Sequence, residues 1–259
     1  MNRIENAFKN KPIFMPYFPL GYPDLATSID VIEALANNGA DLIEVGLSFS
    51  DPLADGPVIQ KATQVALEKG ITVKKSLAAV AELRKRGVTI PLILMGYFNP
   101  ILAYGLEKFV RDAREAGADG FIVPDLPLEE AGEFQSLVGD MPLIQMLAPT
   151  SPNERMELIA RNAKGFIYLV SVTGVTGART SISDGLGDLI QRVRDHTSVP
   201  VCVGFGIGTP EQAKQVGALA DGVIVGSACV KTIGSSQKPV ETAKQFAAEF
   251  RSALKELKK

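Results

Sequence analysis

Short, almost unbroken apolar runs alternate along this chain with longer segments in which apolar residues recur at helical spacing. The runs cover residues 12–18, 41–46, 92–97, 120–124, 143–147, 166–171, 201–204 and 222–225. They are rich in Ile, Val, Leu and Phe and are bounded by Gly, Pro and Asp, as strands buried on both faces require. Between them, residues 28–36, 74–86, 106–116, 153–161 and 186–193 carry the period of an amphipathic helix. A strand–helix unit repeated eight times implies parallel pairing through right-handed crossovers. The predicted fold is therefore α/β, a (β/α)8 barrel, with a doubly wound open sheet as the plainer alternative. The first ten residues and the segment after Pro239 read as extra helices outside the barrel.

A second pattern supports this reading. Gly39-Ala40-Asp41 and Gly117-Ala118-Asp119 each join a helix end to the next strand, and Gly217-Ala218 with Asp221 nearly repeats them. Glycine suits these places because helix C-termini often need a left-handed residue. Such turns belong to the N-terminal face of a barrel, where regularity serves stability. No linker or composition shift divides the chain, so residues 1–259 are expected to form one domain, an ordinary length for this architecture.

Composition narrows the functional classes. A net charge of −2 gives no basic footprint for nucleic acid. No stretch approaches the roughly 20 apolar residues of a membrane span. Pro12, Pro16 and Pro19 interrupt the one candidate for a secretory signal, so a cytoplasmic location is expected. Cys202 and Cys229 lie in apolar contexts that suit small buried hydrophobes better than a disulfide.

Barrel chemistry is built at the C-terminal ends of the strands and in the loops that follow. Three such places stand out. In the first, Glu44 lies between Ile43 and Val45, and a Pro/Gly-rich loop carrying Asp51 and Asp55 follows. A carboxylate buried without a partner has a raised pKa, which suits a group that must give and take a proton near neutrality. The alternative is a structural glutamate paired with a distant Arg or Lys. Of Asp51 and Asp55, one can face the same substrate while the other caps a turn or the helix starting near Val58. The second place joins Gly204-Phe205-Gly206 after strand seven to Gly226-Ser227 after strand eight. Glycine turns and a helix N-terminus at these two strands suit a phosphate group. The third is the glycine-rich run 171–179 after strand six, which has the composition of a closing lid.

The residues that are missing also count. The one histidine, His196, precedes a strand at the stability face and reads as structural, which disfavours a catalytic triad and a His-based metal site. Lys164 and Lys231 are misplaced for a Schiff base. A phosphate cradle, carboxylates and aromatic residues remain.

Taken in order, these residues resemble the signature of tryptophan synthase alpha subunits. The likeness rests on Glu44 with the run Phe49-Ser50-Asp51-Pro52-Leu53-Ala54-Asp55-Gly56-Pro57, and on Pro124-Asp125-Leu126-Pro127 with Glu129-Glu130. Ala148-Pro149-Thr150, Gly174-Val175-Thr176-Gly177, Gly204-Phe205-Gly206-Ile207 and Gly226-Ser227-Ala228 complete it, so that it spans nearly the whole chain. The resemblance implies a lyase that splits indole-3-glycerol phosphate into indole and glyceraldehyde 3-phosphate. It implies Glu44 as the proton-transfer residue and Asp55 as the carboxylate facing the indole N–H. Tyr168 matches the aromatic beside the catalytic glutamate, while Tyr17 and Tyr97 line the cavity. Thr176 matches the lid residue that organises Asp55, and Gly177, Gly204, Phe205, Gly206, Gly226 and Ser227 match the glycerol-phosphate site. No metal and no cofactor are implied in this chain; pyridoxal phosphate belongs to the beta subunit with which such chains form an alpha2beta2 complex.

Two positions depart from the pattern. Ser48 stands where the family usually has proline, and Pro19 where threonine is common. Losing proline is expected to loosen the loop carrying Asp55. Rival readings are a stand-alone lyase of the same chemistry and a weakly active subunit that mainly activates its beta partner.

Overall fold

The computed structural model describes residues 2–170, 185–204 and 206–257. Its centre is a closed barrel of eight parallel strands in sequence order. They are β1 (Ile13–Pro19), β2 (Ile43–Gly46), β3 (Leu92–Met95), β4 (Gly120–Ile122), β5 (Leu143–Leu147), β6 (Ile167–Val170), β7 (Val201–Gly204) and β8 (Gly222–Val225). The chain is buried almost throughout these strands, which is why they read as continuous apolar runs. The closed order decides against the open sheet.

Helices fill the crossovers. After the short α1 (Arg3–Ala7) come α2 (Leu25–Asn38), α3 (Pro57–Glu68), α4 (Val73–Lys85), α5 (Phe98–Tyr104) and α6 (Leu106–Ala116). The second half adds α7 (Gly132–Val138), α8 (Asn153–Asn162), α9 (Leu186–Arg194), α10 (Pro210–Gly217) and α11 (Ser227–Gly234). The last, α12 (Pro239–Lys255), buries Phe246, Phe250 and Leu254, and Phe250 stacks on Phe14 of β1 with ring centroids 5.2 Å apart. The five helices expected from periodicity all form, with ends displaced by at most three residues, and side-chain caps set the starts of two of them, α2 and α4. Asp24, for example, caps Thr27 at 2.8 Å and starts α2 earlier than the apolar pattern does.

The three helix-to-strand turns prove to be anchors. Asp41 accepts the Phe14 N–H at 2.8 Å, Asp119 that of Leu92 at 2.8 Å, and Asp221 that of Val201 at 3.0 Å. Each aspartate thus ties the strand it precedes to the previous one. Gly39 and Gly117 do adopt positive φ, 142° and 89°. Gly217 differs from the expectation. It is the last residue of α10, without positive φ, and a Cβ there would lie 2.6 Å from Leu254 of α12. Close helix approach, not a left-handed turn, requires glycine at that position.

Cys202 and Cys229 are both buried, in β7 and α11. His196 is exposed between α9 and β7, and Lys164 and Lys231 are exposed outside the barrel. No helix among the described residues is long and apolar enough to cross a membrane.

Candidate active site

At the C-terminal mouth of the barrel, two carboxylates from one strand and its loop meet three tyrosines from other strands. Glu44 sits in the middle of β2, paired in register with Tyr17 of β1 and Ile93 of β3. It is 1% exposed, and its Oε1 is buried without a hydrogen-bond partner among the described residues. The Arg or Lys partner of the structural alternative is thus missing from these contacts. Burial first, and the neighbouring Asp55 charge second, push the Glu44 carboxyl up to about 8. A buried ionised carboxylate with no compensating donor is costly, so the group stays protonated at neutral pH.

Asp55 lies in the loop between β2 and α3. Burial raises it to about 6, and a hydrogen bond from the Tyr97 hydroxyl limits the rise. Near neutrality the pair therefore holds one proton, on Glu44, and one charge, on Asp55. Asp51 is exposed and accepts a hydrogen bond from the Ser50 hydroxyl, whereas Asp55 is largely screened from solvent beside Glu44.

The tyrosines are placed by their glycine neighbours. A Cβ on Gly46 would lie 2.3 Å from the Tyr17 hydroxyl, and one on Gly204 would lie 2.5 Å from that of Tyr168. Each phenol crosses onto the adjacent strand where no side chain stands. Burial, followed by the charges of Asp55 and Glu44, holds both phenols well above their ordinary range, so both remain neutral donors. Tyr97, two residues beyond β3, packs at a tilt against Phe49 with ring centroids 5.6 Å apart, and its hydroxyl accepts the Ala54 N–H at 3.0 Å. The Ser48 hydroxyl is buried with no partner among the described residues. At this end of the loop the tethering falls to Tyr97.

Across the mouth, Gly204 ends β7, Gly206 follows it with φ 79°, and Gly226 leads into Ser227, the first residue of α11. The first backbone N–H groups of that helix are free of intrahelical partners and open toward the same end of the barrel. These positions can accommodate an anion. Thr176, Gly177 and the rest of 171–179, with Phe205, lie outside the described residues. Among the described residues no three His, Cys, Asp or Glu side chains gather as metal ligands. Sequence reasoning missed Asp125, whose carboxylate accepts the Phe98 N–H at 2.9 and 3.2 Å beside Tyr97. Its place at the end of a barrel strand is the signal that could have found it.

The family model for the tryptophan synthase alpha chain matches residues 4–259. This chain belongs to the tryptophan synthase alpha chain family. It is 48% identical over 237 residues to the alpha chain of Chloroflexus aggregans, covering 89% of each chain. The alpha chain of Geobacillus kaustophilus is 46% identical over 253 residues, again covering 94% of both. Among solved structures, Mycobacterium tuberculosis tryptophan synthase superimposes with a TM-score of 0.89 at 36% identity, over 98% of both chains.

Proposed function

We propose that this chain cleaves indole-3-glycerol phosphate by acid–base catalysis, with Glu44 as the acid and Asp55 as the electrostatic partner. The observation that carries the reading is the separation of two neighbouring carboxyls, buried Glu44 pushed up to about 8 and half-buried Asp55 to about 6. Between these values the enzyme holds a proton donor and an anion side by side.

Protonated Glu44 gives its proton to C3 of the indole ring, which leaves an iminium at the ring nitrogen. Ionised Asp55 accepts the ring N–H and stabilises the positive charge developing there. Loss of the proton from the hydroxyl on the attached glycerol carbon forms the aldehyde carbonyl. The electrons of the breaking carbon–carbon bond return to the ring and neutralise the iminium. Glu44, now a carboxylate, is available to take that proton. Tyr17, Tyr97 and Tyr168 wall the indole, while Gly204, Gly206, Gly226 and Ser227, with Phe205 and Gly177, bind the phosphate. Thr176, outside the described residues, matches the family residue that organises Asp55.

The chain acts as one domain over 1–259, in the cytoplasm, and needs no cofactor of its own. Its partner is a beta subunit carrying pyridoxal phosphate, in an alpha2beta2 complex that consumes the indole. Leu53 is 89% exposed on the Asp55 loop, beside a groove of about 380 Å³ lined by Phe49, Pro52, Pro57 and Gln60. That apolar projection favours a protein partner at the mouth.

Indole release from indole-3-glycerol phosphate tests the reading, measured with and without a tryptophan synthase beta subunit. Slow cleavage that the partner accelerates and Glu44→Gln abolishes is the expected result. Fast cleavage by the chain alone would mean a stand-alone lyase. No cleavage in either condition would leave a subunit that only activates its partner.

A further inference from the structure

The motif Pro124-Asp125-Leu126-Pro127 has no part in the reaction described above, yet its aspartate is joined to the site by consecutive contacts. Asp125 follows β4 and is exposed. Both of its carboxylate oxygens accept the Phe98 N–H, at 2.9 and 3.2 Å. Phe98 opens α5, and the residue before it is Tyr97. The bond therefore pins the backbone at the point from which the Tyr97 side chain departs. Tyr97 then reaches across to the loop after β2, where its hydroxyl accepts the Ala54 N–H at 3.0 Å and donates to the Asp55 carboxylate.

Among the described residues, the other hydrogen bonds of the loop are one at its root, from Leu47 N–H to the Met95 carbonyl at 2.7 Å, and local ones, from the Ser50 hydroxyl to the Asp51 carboxylate, from Leu53 N–H to the Asp51 carbonyl, from Asp55 N–H to the Pro52 carbonyl, and from the Gln60 amide to the Asp55 carbonyl. Leu53, two residues before Asp55, projects into solvent. An error of about 1 Å in a catalytic group costs roughly 100-fold in rate, so a carboxylate on such a loop needs an external hold.

We propose that Asp125 and Tyr97 form a brace across the ends of β2, β3 and β4 that positions Asp55 for the reaction, with Asp125 acting as a positioning residue through Tyr97. This inference rests on Asp55 being the second carboxylate of the cleavage. Asp55 is faced by Tyr97, by Glu44 of β2, by Tyr17 of β1 and by Tyr168 of β6. Of these, the Tyr97 hydroxyl is the one whose hydrogen bond favours the ionised form. The brace thus fixes where Asp55 sits and offsets part of the rise that burial imposes on its carboxyl.

The test uses Tyr97→Phe, Asp125→Ala and Asp125→Asn, assayed for indole-3-glycerol phosphate cleavage with the beta subunit present. Tyr97→Phe keeps the ring and removes both hydroxyl bonds. It should lower kcat about 10- to 100-fold, the worth of a hydrogen bond to a charged group, with KM within about twofold. The low-pH limb of kcat should move to higher pH, because Asp55 loses the donor that favours its charge. Asp125→Ala should show the same pattern at about 3- to 10-fold, and Asp125→Asn should restore activity, since its amide oxygen still accepts the Phe98 N–H. Tyr97→Phe with kcat within twofold and an unmoved limb, or with an effect on KM alone, overturns the brace whatever Asp125→Ala does. Full activity in Asp55→Asn would instead overturn the functional reading beneath it.

Discussion

Carboxylates crowd both ends of this barrel, and the two ends treat them in opposite ways. At the N-terminal end, Asp41 meets Arg251 at 2.6 Å, Asp119 meets Arg84 at 2.5 Å and Arg3 at 2.9 Å, and Asp221 meets Lys11 at 2.6 Å and Arg194 at 3.0 Å. Each also accepts a strand N–H. At the C-terminal end, buried Glu44 lies beside half-buried Asp55, and the groups that face them among the described residues are phenols rather than cations. Burial would raise Asp221, but Lys11, the Val201 N–H and Arg194 hold it below the ordinary carboxylate range. Burial raises Glu44 and nothing offsets it. The same chemical group becomes a fixed anchor at one end and a proton donor at the other. Glu44 is the more deeply buried, and the companions decide the direction, since Asp221 is itself only 6% exposed yet stays below the ordinary range.

The largest way to break the contrast is Glu44→Gln. It should lower cleavage by about 100- to 10,000-fold, the usual worth of a general acid, measured as indole release at pH 7. The same variant should be more stable than the parent. Folded Glu44 keeps its proton from the ordinary glutamate value of 4.5 up to about 8, while the unfolded chain gives it up. Stability therefore falls as pH rises through that window, and at pH 7 the glutamate costs up to ~3 kcal/mol. Glutamine removes the slope, which denaturant titrations at pH 5 and pH 7.5 would read. An unchanged slope would mean that Glu44 is ionised in the fold.

The opposite end should respond in the opposite sense. Asp119→Ala strips Arg84, whose side chain is 14% exposed, of its partner and orphans the Leu92 N–H. A loss of about 3 kcal/mol is expected by chemical denaturation, with kcat within about twofold well below the midpoint. Smaller again is the acid response of Asp221. Its folded pKa is depressed, so the stability it supplies is present above the unfolded value and lost as pH falls. Asp221→Asn should flatten that acid-side loss by about 1 kcal/mol. The last prediction sharpens the catalytic side. The pH profile of kcat should be a bell, its low limb near 6 for Asp55 and its high limb near 8 for Glu44. A profile flat from pH 5 to 9 would contradict the pair.

Much of this contrast was legible in the sequence. An acidic residue inside an otherwise apolar strand marks Glu44, because few explanations other than chemistry survive the cost of burying it. The repeated Gly-Ala-Asp turns mark the anchoring end. The hold on the Asp55 loop was not legible. Tyr97 reads as one more aromatic after a strand, and its hydroxyl meets Ala54 and Asp55 more than forty residues away. Ser48 suggested a looser loop, but sequence carries no trace of what grips that loop instead.

The sequence by itself determined the alternation of strands and helices, the parallel barrel and the buried glutamate, because periodicity and burial cost act locally along the chain. The tertiary structure alone decided which carboxylates are charged. Arg251 reaches Asp41 across 210 residues and Lys11 reaches Asp221 across another 210, while closure of the barrel brings Tyr17, Tyr168 and Asp55 around Glu44. Electrostatic energy depends on distance through space and on exclusion of water, and both are set only when the eight strands close.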